Sequence, residues 1–276
     1  MVRLRHTVNV AAVPRRWFES SVRALHDVAE GIEAEVTRLR LPDGRWLPEL
    51  LLGEGGHLRP GARYHPQNDD NSGPDPDVTV TILAWDRKRR TAVEVVVLDD
   101  DPDGPGHMAC TLWLASGERP REANLSVKLW AGGGTWAKYA AGTGRLRLDL
   151  GKWWSSAAGR GRSKATAFTG KFDHALASAA LSVVPRPADD GRWRVTVTVR
   201  VKGRSFARLL LPLTMTIIGR RVRGVFAKAL DDAARKWNSQ VPELLRKDAE
   251  QLQSEINEAL VAVAPQRATQ ETEGGV

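Results

Sequence analysis

Residues 192 to 202, RWRVTVTVRVK, constrain the fold of this chain more than any other stretch. Trp193, Val195, Val197, Val199 and Val201 fall on one side of an extended chain. Arg192, Arg194, Thr196, Thr198, Arg200 and Lys202 fall on the other. A strand with one dry and one wet face belongs to an antiparallel sheet covered on one side only. RLRHTVNV (3–10) alternates in the same way, with Leu4, His6, Val8 and Val10 in phase. VTVTILAW (78–85), AVEVVVL (92–98), MACTLWLA (108–115), ANLSVKLW (123–130), ATAFTGKF (165–172) and ALASAALSVV (175–184) read as further strands at hairpin spacing.

Helical periodicity brackets these strands. Pro14 opens PRRWFESSVRALHDVAEGI, with Trp17, Val22, Leu25 and Val28 in step and Gly31 at its end. EAEVTRLRL and RWLPELLL follow as extended pieces joined at Pro42-Asp43-Gly44. After residue 219, Val222, Phe226, Ala229, Ala233 and Trp237 recur every three or four residues. Pro242 is expected to restart the helix. From Leu245 to Val263 the apolar steps are 4-3-4-3-4, a narrow seam. Residues 131–164 are rich in Gly, Ala and Ser and are expected to form an insertion or long loop around one alternating piece, RLRLDL. The tail from 265 to 276 is expected to be disordered. The expected units are therefore 1–241, a helix over 242–264 and that tail.

DDDPDGPGH (99–107) looks at first like a calcium loop. Position 12 of such a loop would be Cys110, where a bidentate Glu is needed, and Pro102 and Pro105 stiffen the run. Asp-Gly recurs at 43–44 and 190–191 where strands must reverse, so a hairpin turn is the simpler expectation. The glycines match no phosphate loop. The six histidines show no metal-ligand spacing; His57 and His65 near Asp69 and Asp70 make a loop cluster at best. Cys110 is in phase with Met108, Leu112 and Leu114 and reads as core filler. No metal and no cofactor is expected.

A single cysteine excludes an intrachain disulfide and fits a reducing compartment. The N-terminus shows no apolar signal core, and the longest apolar run, 206–219, is too short to span a bilayer and contains Pro212. A cytoplasmic protein is expected. Net charge is +8, split between an acidic stretch after Pro242 and a basic body. The basic residues are dispersed along the chain rather than striped.

Ten tryptophans stand against five Phe and two Tyr. Indole rings suit large-residue packing, and equally a wide apolar cavity with few polar points. On the cavity reading, Trp85, Trp113, Trp130, Val197, Val199 and Phe226 are the candidate ligand-binding residues.

VRLRHTVNVAAVPRRWFESSVRAL resembles the strand-Pro-x-x-x-Phe opening of START-like (SRPBCC, polyketide cyclase/dehydrase and lipid-transport) proteins. LRPGARYH (58–65), with VTVTILAWDRKRRTAVEVVV after it, resembles their early strands. RWRVTVTVRVKGRSFARLLLPLTMTIIGRRVRGVFAKALDDAARKW resembles their last strand, bridging segment and long helix. The insertion at 131–164 and the helix beyond Pro242 depart from that pattern. The resemblance implies an α+β helix-grip fold, a curved antiparallel sheet wrapped around a long C-terminal helix and an apolar cavity. It carries over no catalytic residue.

Three functions compete. The first is a carrier or sensor for a hydrophobic small molecule or lipid. The second is a cyclase/aromatase-like enzyme, for which His6, Thr111 and Glu94 are the only polar candidates. The third is a nucleic-acid-binding protein, ranked last because the basic face of 192–202 carries no aromatic residue. As partners, the apolar run 208–221 with its flanking arginines suits an anionic membrane surface. The acidic seam helix 242–263 suits weak homo-oligomerisation.

Overall fold

The computed structural model describes residues 1–67, 74–75, 77–99, 106–131, 141–160, 166–204 and 207–262; for 99, 131 and 207–218 it describes the backbone alone. The DDDPDG turn, Trp136, Asp69, Asp70, Val263 and the tail fall outside these residues.

The chain begins with β1 (Val2–Val10) and α1 (Arg15–Gly31). Twelve more strands follow: β2 (Glu33–Glu35), β3 (Arg38–Arg40), β4 (Trp46–Glu54), β5 (Arg63–Pro66), β6 (Val78–Asp86), β7 (Arg90–Asp99), β8 (Gly106–Ala115), β9 (Glu122–Ala131), β10 (Gly142–Asp149), β11 (Phe168–His174), β12 (Ala177–Pro187) and β13 (Trp193–Gly203). Between β10 and β11 lies α2 (Leu150–Ala157), and the chain closes with α3 (Ala207–Leu244) and α4 (Ala249–Val261).

All thirteen strands form one antiparallel sheet. β2 to β13 neighbour each other in chain order, and β13 then pairs with β1 over nine residues, Val2↔Val201 to Val10↔Trp193. β1 and β2, joined only through α1, are therefore the two outermost strands. Thirteen strands at about 4.8 Å spacing would span about 58 Å if laid flat. At about 1.5 Å per helical residue and 3.5 Å per linker residue, α1 and its linkers reach about 48 Å at most. The sheet must curl for the connection to close.

The alternation read from the sequence sets the two faces. Leu4, His6 and Val8 sit opposite Val199, Val197 and Val195 on the inner face, while Arg3, Arg5 and Thr7 meet Arg200, Thr198 and Thr196 outside. α3 packs on β1 and β13 from within. Two buried clusters result. One gathers Leu39, Leu41, Leu47, Leu52, Ala62, Tyr64 and Ile82 around β3–β6, with Leu260 and Val261 of α4 against it. The other gathers Val13, Ala157, Trp193, Val195, Val197 and Val241 around β1, β13, α2 and α3.

Several expectations change. The segment read as an insertion is not a loop where it is described. β10 stands between β9 and β11 as an interior strand, and α2 caps it. Gly142 and Gly144 dilute the strand signal, and Asp149 was missed as the N-cap of a helix, where its side chain accepts from the Lys152 amide. The long helix starts at Ala207, so the apolar run 208–221 is helical backbone rather than a connector. Pro242 lies inside α3, and the restart comes at Asp248, which makes a reciprocal capping box with Gln251. α4 then packs on α1 and β4 of its own chain. Leu252, Ile256 and Leu260 are half-buried there, and Ala249 and Ala259 of the same seam are exposed. The Asp-Gly turns form as expected: Gly44 and Gly191 have φ of 90° and 75°, and Asp43 and Asp190 each accept from the amide two residues on.

Candidate functional site

Between the two clusters the inner face stays apolar but loses its cover. Its side chains are Val93 and Val95 of β7, Cys110 and Leu112 of β8, Leu125, Val127 and Leu129 of β9, and Leu146 of β10. None of them is buried, and Leu112 is 54% exposed. Two cavities open on the β10–β13 side of this floor.

The first, about 350 Å³, is an aromatic box at the α2 end. Trp153 and Trp154 come from one turn of α2, Trp193 and Phe168 from β13 and β11, Phe18 from α1 and Trp237 from α3. Trp193 is the hub: its ring centroid lies 5.6 Å from Trp153 and 5.5 Å from Trp154. Phe18 meets Trp154 edge-on at 6.0 Å. Trp237 donates its indole N–H to the Ala11 carbonyl at 3.0 Å, so its polar end is satisfied away from the box. None of the ten lining residues titrates. A neighbouring cavity shares Val13, Trp154 and Trp193 with the box and is lined by Arg15, ion-paired with Glu19, and by Arg160, which has no ion-pair partner among the described residues.

The second cavity, about 340 Å³, lies further along the same strands. Gly142, Gly144 and Gly170 form its floor and Val127, Leu181 and Val199 its sides. A Cβ on Gly170 would lie 2.7 Å from Leu146 Cδ2 and 3.1 Å from Leu181 Cβ. The missing side chain lets Leu146 and Leu181 close in over the Gly170 backbone. From Leu148 in the first cavity to Gly142 in the second, β10 runs about 20 Å.

The sequence-derived candidates do not converge. Val199 lines the second cavity. Val197 is buried in the cluster beneath α3, and Phe226 packs against that cluster. Trp85 lies far around the sheet, donating to Glu30 at 2.9 Å and tilted against His26. Trp113, under the Arg90 guanidinium at 5.0 Å, and Trp130, stacked on His107 at 4.1 Å, are on the outer face. The polar candidates are separated too. His6 Nε2 lies 2.8 Å from Asp231 at the β1 edge of the inner face. Thr111 donates to Glu94 at 3.3 Å on the outer face, six and seven strands away respectively. Cys110 is half-buried on the inner floor. Among the described residues no three metal-ligating side chains cluster. His57 and His65 serve structure: His57 donates from Nε2 to the Ala29 carbonyl and accepts from the Tyr64 hydroxyl, and His65 donates to the Val78 carbonyl. Burial pushes the Tyr64 phenol up. No helix among the described residues is long and apolar enough to cross a membrane.

No family model matches the chain, and no curated protein matches it. Among solved structures, a conserved protein from Geobacillus kaustophilus aligns over 94% of this chain and 97% of its own at 11% identity, with a TM-score of 0.18. Overlap that low carries no argument about fold or function.

Proposed function

We propose that the protein carries or senses a hydrophobic small molecule or lipid, held on the inner face of its sheet in a helix-grip arrangement in which β1 and β13 close on α3. The observation that carries this reading is the apolar track that joins the aromatic box to the glycine-floored groove and that no described element covers. A track about 20 Å long exceeds half the roughly 30 Å hydrocarbon core of a bilayer, so one extended acyl chain fits it. Each methylene moved there from water contributes about 0.8 kcal/mol. An acidic head group at the box end would meet Arg160. The absence of a titratable side chain in the box favours holding a ligand over transforming one.

The test is a solvatochromic apolar probe displaced by a long-chain fatty acid, together with native mass spectrometry of the purified protein. Saturable binding is expected in the wild type, and loss of it in Leu146→Arg. Leu146 is half-buried and faces the groove, so the fold should tolerate the change. A well-folded wild type that takes up neither probe nor fatty acid would remove the proposal.

A further inference from the structure

The outer face of the same sheet holds a feature that the linear sequence scatters. Register places Arg3 opposite Arg200, Arg200 opposite Ala180, Ala180 opposite Lys171, and Lys171 opposite Arg145. Four exposed cations thus stand in one row across β1, β13, β12, β11 and β10, about 19 Å from end to end at the inter-strand spacing. Two of the contacts, Arg3–Arg200 and Lys171–Arg145, are like charges directly opposed on adjacent strands, an arrangement that destabilises a sheet. None of the four has a carboxylate partner among the described residues, although Arg147 and Arg204 nearby are paired with Glu122 and Asp173. Lys202 and Arg5 flank the row on the same face without ion pairs among the described residues.

The neighbouring row supplies neutral donors. Ser182 and Thr169 follow one another across β12 and β11, beside the buried Thr198 of β13, and the row continues through Arg147 and Asn124 to Trp113. Trp130, 39% exposed, lies on the same face of β9. The aromatic residues missing from the basic face of β13 alone are therefore present on the face as a whole.

We propose that this outer face binds the phosphodiester backbone of single-stranded nucleic acid. Arginine and lysine flanked by hydroxyl and amide donors is the chemistry that contacts phosphates, and a basic track beside aromatic rings is the arrangement that holds single strands. Twist selects this partner over an anionic membrane. At about 20–25° per strand, the row turns by about 80–100° over its four steps. A flexible polyanion follows such a turn; a planar bilayer meets only part of it.

The experiment is fluorescence anisotropy of a labelled oligothymidylate of about 16 nucleotides across a salt series. It runs in parallel with co-sedimentation on phosphatidylserine-containing vesicles. Binding is expected at low salt, with the logarithm of the affinity falling linearly with the logarithm of salt by about 0.7 per phosphate neutralised. Arg200→Gln with Lys171→Gln should flatten that slope by about 1.4 and leave the melting temperature no lower, since a like-charge contact is relieved at each end of the row. If the double variant fails to fold, Lys171→Gln alone is read, with a flattening of about 0.7. No binding at low salt, an unchanged slope in a folded variant, or binding to vesicles but not to the oligonucleotide each overturns the proposal. Apolar-probe binding on the inner face should be the same in variant and wild type, so this test and that of the ligand reading fail independently.

Discussion

His26 shows how one buried polar residue fixes a junction. It is 4% exposed, with Nδ1 on the Val22 carbonyl and Nε2 on the Thr91 hydroxyl, both at 2.8 Å. Nδ1 must donate, since a carbonyl only accepts, and Nε2 meets a hydroxyl that can either donate or accept. The turn after β8 closes over the ring. A Cβ on Gly117 would lie 2.6 Å from Cε1 and 2.7 Å from Nε2 of His26. With both nitrogens engaged the ring has nowhere to move, so Gly117→Ala is expected to cost about 1–3 kcal/mol, read as a lower urea midpoint. An unchanged midpoint would show that the turn, not the ring, gives way. Nothing in the sequence marked His26, because its side-chain partner Thr91 lies 65 residues away. The placement of Trp113 was legible: alternation puts it out of phase with Cys110 and Leu112, and hence on the outer face.

At the level of elements, legibility followed signal length. The nine- and eleven-residue alternations of β1 and β13 were plain in the sequence, whereas the eight-residue α2 was hidden by its glycine-rich surroundings. Yet α2 carries Trp153 and Trp154, so the aromatic box depends on it. Asp149 anchors its start. Burial opposes the charged form, but the hydrogen bonds from the Lys152 side chain and amide outweigh it and hold the carboxyl below its ordinary range. The sign follows directly. A carboxyl depressed in the folded state stabilises fully above the unfolded-state value, and that stabilisation is lost as pH falls through the lower folded value. Asp149→Ala should therefore cost about 1 kcal/mol at neutral pH, with the gap to wild type narrowing under acid. Probe affinity should fall in the same variant, because the two indoles lose their platform. Equal probe binding would separate α2 from the site.

Glu30 makes the same argument where α1 crosses the sheet. Burial again works against its charge, but hydrogen bonds from Arg87 and Trp85 prevail and lower its pKa. Arg87 also reaches Asp27 at 2.6 Å. Acidification should loosen the C-terminal turns of α1 from β6 and β7 before it disturbs β13. The amide exchange of residues 26–31 at low pH, compared with that of 195–199, would show it. Simultaneous loosening would mean that the strap and the sheet open as one.

For the molecule as a whole, the two buried clusters lie at opposite sides of a curled sheet, and the bare floor of β7–β10 stands between them. α1 touches both sides: Trp17 and Phe18 pack on the β13 cluster, and Ile32, just beyond its last turn, packs on the β4 cluster. α4 braces it through Gln253 on Asp27 and is tied to the β3–β4 turn by Arg45 with Glu258. Strand hydrogen bonds over the floor are continuous, but among the described residues only its Val93 edge packs against a buried cluster. In a free chain the floor should therefore be the least protected part of the sheet, opening at lower free energy than β1, β12 or β13. A ligand laid on the floor would supply the missing layer. It binds the native state alone and so stabilises in proportion to the logarithm of its concentration over Kd, by about 2.7 kcal/mol at a hundredfold excess. That gain should be concentrated in β7–β10. Hydrogen exchange with and without a saturating long-chain fatty acid is the measurement. Slowing confined to β7–β10 and the groove strands would mark the floor as the seat of the ligand. Slowing spread evenly over all strands, or confined to α3, would place the ligand elsewhere and leave the bare floor without a role.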